Sequence, residues 1–272
     1  MTTPLPNEKG AFVSFLSKND QNTKTILFMH GNSLNKECFA NQLDDNTLSK
    51  YRLVAFDISG HGESSKIDNY SILRLKTIIL EFIKIQNLDN FIIVGHSLGG
   101  HLGIQTLPAI SDKCKGIFVF GTPPLKESLN INEAFLPNEN IPFLLQRNLQ
   151  PNEIDSLSKA IYNSEDENFQ KIKKSISNTD GKFREDFGSS LNAGDLQDEV
   201  KILSNYSGYT TILHGNDDVF VNIEYLSNLK KEELPNADLI TIDNSGHCPH
   251  IDASDLFNSH VLNFANKTLK SV

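Results

Sequence analysis

The chain reads as α/β: a doubly wound, mostly parallel central sheet flanked by helices, with a helical insertion. Three observations predict this. Short apolar runs recur along the chain, each bounded by Gly, Asp, Asn or His. Stretches of helical periodicity fill the gaps between them. One long stretch, residues 123–195, carries helical patterns and no strand-like run. The core is therefore assigned to residues 1–122 and 196–272, and a helical cap to 123–195.

The elements follow in order. Residues 11–17 alternate loosely and predict an edge strand. The runs at 25–29, 52–56, 91–94, 116–120, 210–213 and 239–242 are short and apolar, as strands buried on both faces of a parallel sheet must be. Residues 70–87 place Ile72, Leu75, Ile79, Phe82 and Ile83 on one helical stripe, with charges off it. Residues 98–107 form a helix that ends near Pro108. Helices are also expected at 153–162, 168–176, 222–231 and 254–269. Alternating strands and helices imply right-handed crossovers, and ligands then bind beyond the carboxyl ends of the strands.

Chemistry concentrates at those ends. Gly95-His96-Ser97-Leu98-Gly99 follows the run at 91–94 directly. Its glycines permit a turn too tight for a Cβ, so Ser97 stands strained at the tip with a helix behind it. A serine hydroxyl needs a base to become a nucleophile, and that base needs an orienting carboxylate. His247 follows the last apolar run and precedes the last helix, so it is the expected base; His250 is the competitor. His214-Gly215-Asn216-Asp217-Asp218 follows the preceding run. Asp218 is preferred to Asp217 as the carboxylate, although either suits a turn. The loop after 116–120, Gly121-Thr122-Pro123, offers no acid. Two backbone donors should face the developing oxyanion: the N–H of Leu98 and that of Asn32, in the loop His30-Gly31-Asn32-Ser33. His30 is read as the group that holds this loop, and His96 as packing.

Composition narrows the alternatives. The 272 residues carry a net charge of -9 and no basic cluster, which argues against nucleic-acid binding. Cys38, Cys114 and Cys248 have neither disulfide-framework nor metal spacing, so no metal is expected. The Gly-rich loop at 57–64 lacks the Gly-Lys-Ser/Thr ending of a phosphate cradle, and no cofactor is expected. No apolar run is long enough to span a membrane, and no secretory leader pattern begins the chain, so a cytoplasmic setting is expected. Oligomeric state is not legible.

Taken together, HGNS at 30–33, DISGHGES at 57–64, GHSLGG at 95–100, HGNDDVFV at 214–221 and SGHCPH at 245–250 resemble the α/β-hydrolase superfamily, in its chain order Ser, Asp, His. The resemblance runs from about residue 24 to the end, apart from the cap. In that family the acid stands three residues after the glycine of the HGxxD stretch, which again selects Asp218. The resemblance implies a serine hydrolase acting on an ester, thioester or lactone of a small to medium acyl compound. Dehalogenases and epoxide hydrolases of this fold use an aspartate where this chain has Ser97. Carbon–carbon hydrolases, haloperoxidases and an aminopeptidase-like activity share the triad. The last would want acidic cap residues, such as Glu133, Glu139, Glu153, Asp155, Glu165, Asp166 and Glu167. A low-turnover ligand binder of this fold is the reading from outside enzymology. Phe135, Phe143, Leu144, Leu145, Tyr162 and Phe169 are expected to form the cap's own core rather than line a pocket.

Overall fold

The computed structural model describes residues 1–5, 10–127 and 131–270. Strands β1 (Thr2–Pro4), β2 (Phe12–Lys18), β3 (Thr25–Met29), β4 (Arg52–Phe56), β5 (Phe91–His96), β6 (Cys114–Phe120), β7 (Tyr209–Gly215) and β8 (Asp238–Ile242) form one sheet in the order β1-β2-β4-β3-β5-β6-β7-β8. The pairs β1·β2 and β2·β4 are antiparallel, and the remaining pairs are parallel. β1 has no counterpart in the sequence reading, because three residues are too few to show a period.

The β-branched and aromatic runs are buried on both faces. In β5, Phe91 and Ile93 pack into one apolar cluster, while Ile92 and Val94 pack into the other. That is the period-two alternation of a strand. Helices α1 (Ala40–Leu43), α10 (Pro249–Asp252) and α11 (Ser254–Thr268) lie toward the second cluster, where Phe257, Val261 and Phe264 meet Phe118 and Phe120. Helices α2 (Ile72–Ile85), α3 (Leu98–Ile110) and α9 (Ile223–Glu232) cover the first. Between β6 and β7 the chain forms α4 (Ile131–Ala134), α5 (Pro151–Ile161), α6 (Glu167–Asn178), α7 (Gly181–Asn192) and α8 (Glu199–Asn205). A bridge, Phe135 to Val221, pairs this stretch with the loop after β7.

The structure corrects one boundary: α3 runs through Pro108 to Ile110. A proline in a helix removes one N–H bond and crowds the carbonyl four residues back. Here it sits in the last turn, with Leu107 and Ile110 buried against the sheet, so tertiary packing outweighs the local penalty.

The strand order places the switch point at β3 and β5, which diverge in connectivity but lie side by side. Their register, Met29 opposite Gly95, brings the loops after both to one level. Two glycines permit the helix to start there. A Cβ on Gly95 would lie 2.6 Å from the Gly100 Cα, and one on Gly99 would lie 2.2 Å from the Met29 carbonyl oxygen. Gly99→Ala is therefore expected to destabilise the fold by about 1–3 kcal/mol or more, because backbone cannot yield as a flexible side chain can. Urea denaturation checks this; an unchanged midpoint contradicts it.

Candidate active site

Ser97 caps α3 with φ 48° and ψ -118°, a conformation that side chains with a Cβ rarely adopt. Its N–H donates to the Phe120 carbonyl at 2.8 Å, which pins the turn to β6. Strain of this kind costs about 1–3 kcal/mol and persists only where the surroundings over-determine it. The side chain is half-buried and lines a cavity of about 340 Å³ together with Asn32, Leu98 and His247.

His247, which lines the same cavity, meets Asp218. The His247 Nδ1 lies 2.8 Å from Asp218 Oδ2. The other carboxylate oxygen accepts the N–H groups of Phe220 at 2.8 Å and Val221 at 3.3 Å. Burial pushes the Asp218 carboxyl up, but the His247 charge and these hydrogen bonds outweigh it, and the net displacement is downward. Asp218 is thus held as an anion that accepts from His247. Asp217, the alternative, is exposed and lies outside this contact. Gly121, at φ +57°, backs the imidazole: a Cβ there would lie 2.8 Å from His247 Cε1.

The Asn32 and Leu98 N–H groups have no backbone carbonyl partner among the described residues. For Leu98 this follows from its place as the first residue of α3. The Asn32 loop is braced from both sides. His30 Nε2 accepts the Ile58 N–H at 2.9 Å, as expected of a loop-holding group. The Asn32 side-chain amide donates to the Leu144 carbonyl at 2.9 Å and accepts from Ser33 Oγ at 2.9 Å. Arg184 of α7, itself buried, donates to Ser33 Oγ at 3.2 Å. Sequence reading missed Arg184, since nothing local links it to a serine that precedes it by most of the chain. Lys36 was missed likewise. It is buried and pairs with Asp57 at 2.7 Å and Glu63 at 2.8 Å, tying the 57–64 loop to the segment after Asn35.

The competing histidines are packing groups. His96 stacks on Phe120 at 4.9 Å and bonds through Nε2 to the His247 carbonyl at 2.9 Å. His250 is fully buried among Phe39, Phe120 and Phe257. With Cys248 these two place ligand-type atoms within 4.8 Å of one another, and burial pushes the Cys248 thiol well up.

Burial lowers the proton affinity of His30, His61, His96 and His250, the last to about 3, with the charge of His247 adding to the effect there. The unfolded chain protonates such groups near about pH 6.5. Below that pH the unfolded state binds more protons than the native state, so stability present at neutral pH is lost as pH falls. Each histidine that the fold keeps neutral adds to the slope. The urea midpoint is expected to fall steeply between pH 7.5 and 5; a flat profile would contradict this.

The cavity wall also answers the question of the cap residues. Phe135, Leu144 and Leu145 line the cavity. Tyr162 and Phe169 are buried in the apolar cluster, and Phe143 packs against it. The expectation of a self-contained cap core is thus corrected for three of these six, because that core and the cavity share a wall. None of the acidic residues considered for an amine substrate lines the cavity. Glu153 instead closes a capping box, Asp166 caps α6, and Asp155 and Glu167 pair with lysines.

With fold and geometry in place, comparison with known proteins gives the class. The α/β hydrolase fold family model matches residues 24–254. The chain belongs to the α/β hydrolase fold family and is a hydrolase. It is similar to Lipase 1 of Psychrobacter immobilis, 25% identical over 85% of this chain and 73% of the lipase. It is also similar to the pimeloyl-acyl-carrier-protein methyl ester esterase of Wigglesworthia glossinidia brevipalpis, 25% identical over 89% of this chain and 93% of the esterase. Among solved structures, N-acyl homoserine lactonase AidH complexed with N-butanoyl homoserine shares the fold, with TM-score 0.89, 22% identity and coverage of 100% of this chain and 98% of that one. Among the described residues, no helix is long and apolar enough to cross a membrane.

Proposed function

We propose that the protein is a serine hydrolase that cleaves an ester, thioester or lactone of a small to medium acyl compound, with Ser97 as nucleophile. The single observation that carries this reading is the strained Ser97 sharing one apolar cavity with a His247 already oriented by Asp218. The names of relatives, a lipase, a methyl ester esterase and a lactonase, support the same bond type.

The steps follow from proton positions. Asp218 holds the proton on His247 Nδ1, so Nε2 is free to take the Ser97 hydroxyl proton. Ser97 Oγ bonds to the acyl carbon, and the Leu98 and Asn32 N–H groups stabilise the charge on the carbonyl oxygen. The carbon–oxygen or carbon–sulfur bond breaks, and His247 returns the proton to the leaving group. Water then gives a proton to His247 and attacks the acyl carbon. The acid leaves and Ser97 regains its proton. Residues 123–195 act as a cap that covers the cavity and limits acyl size.

A fluorophosphonate probe tests the reading. It is expected to label the protein at Ser97, and methyl butyrate is expected to compete. Absence of labelling, with ligand binding intact, favours the low-turnover binder.

A further inference from the structure

Outside the reactive corner, the cavity wall is mostly leucine, isoleucine, proline and phenylalanine, interrupted by His101, Asn132 and Asn138. His101 lies one turn beyond Ser97 on α3, and its N–H donates to the Ser97 carbonyl at 3.1 Å. Residues four apart share a helix face, with Cβ atoms about 5–6 Å apart. His101 therefore flanks the position that an acyl chain takes when its carbonyl reaches Ser97.

Behind His101 is Glu199, at the start of α8, with 0% exposure. The His101 Nδ1 lies 3.1 and 2.9 Å from the two carboxylate oxygens. The Leu125 N–H donates to the same carboxylate at 2.9 Å, and the Glu199 N–H returns to the Leu125 carbonyl at 2.8 Å. Gln105 reaches the other carboxylate oxygen at 3.4 Å and is itself held by the backbone of Gln197. A carboxylate only accepts, so the hydrogen bond to Glu199 places a ring proton on Nδ1. In the neutral ring Nε2 then carries a lone pair, with no hydrogen bond found among the described residues, on a side chain that lines the cavity. This repeats the arrangement of Asp218 and His247, in the wall of the same cavity but without a serine of its own. An acceptor that opens onto the cavity gains a hydrogen bond when a ligand brings the donor.

We propose that His101, oriented by Glu199, is a specificity-determining residue that accepts a hydrogen bond from a hydroxyl or amide N–H on the acyl chain, a few atoms from the reacting carbonyl. The preferred substrates are then hydroxyacyl or acylamino esters or lactones rather than plain alkanoyl ones. An anionic acyl group is disfavoured, because it would meet a lone pair backed by a carboxylate. The inference rests on the reading of Ser97 as nucleophile.

The test compares kcat/KM for methyl butyrate, each enantiomer of methyl 3-hydroxybutyrate, and methyl acetoacetate, with acid release titrated at pH 8. One hydroxy enantiomer is expected to exceed methyl butyrate by about five- to tenfold, the yield of one neutral hydrogen bond. In His101→Phe that ratio falls to about one. Glu199→Gln keeps the shape but turns an amide N–H toward Nδ1, which moves the ring proton to Nε2. The hydroxy preference then falls and methyl acetoacetate, whose 3-oxo group only accepts, gains relative to it. A merely structural pair would not reverse a preference. Wild-type ratios near one, or a hydroxy preference that survives in both variants, overturn the proposal. Turnover of methyl butyrate with ratios near one removes this inference alone; no turnover of any ester, with no labelling of Ser97, removes the hydrolase reading as well.

Discussion

Ser97→Ala is expected to reduce turnover of methyl butyrate by about 10⁴-fold or more, since no other group in the site can form the acyl bond. The protein should stay folded. Alanine keeps the Cβ, and no hydrogen bond of the Ser97 hydroxyl is found among the described residues, so only the reacting atom is lost. The urea midpoint should move by less than about 1 kcal/mol equivalent. Retained turnover in a folded Ser97→Ala protein would sink the covalent mechanism and transfer the chemistry to a water activated by His247.

Asp218→Asn carries the next largest effect. Asparagine fits the space, but its amide can donate to Nδ1, which leaves the imidazole proton on Nε2 facing Ser97. The base is then in the wrong tautomer, and kcat should fall by about 10³–10⁴-fold. Asp217→Asn, one residue away and exposed, should stay within about twofold of wild type. Kinetics of both variants on one ester decide the assignment. Equal losses, or a larger loss at Asp217, would overturn it.

The two aspartates mark the limit of local reading. Both sit in the same polar turn after β7, and turn propensity does not separate them. The separation comes from β8, whose following loop carries His247 onto Asp218 at 2.8 Å. The serine was more legible. Its strand, its flanking glycines and its helix are consecutive, and each leaves a local mark: a β-branched run, missing Cβ atoms, then apolar residues at helical spacing. The Asn32 loop was legible for the same reason, but its brace was not. Arg184 and Leu144 come to it from the stretch between β6 and β7, with no periodicity to announce the pairing. The extension of α3 past Pro108 was hidden too, because burial against the sheet outweighed a local helix-stop signal.

The sequence by itself determined the alternation of buried strands with helices in the core, the turn at Ser97, and the placing of Ser97, Asp218 and His247 after three of the strands. These are properties of consecutive residues, where steric limits and apolar spacing act over a few bonds. Tertiary structure alone decided which side chains between β6 and β7 face the cavity, and that Glu199 pairs with a histidine in the same cavity wall. Those outcomes depend on burial and hydrogen bonding between segments distant in the chain, and such contacts leave no period in the sequence that forms them.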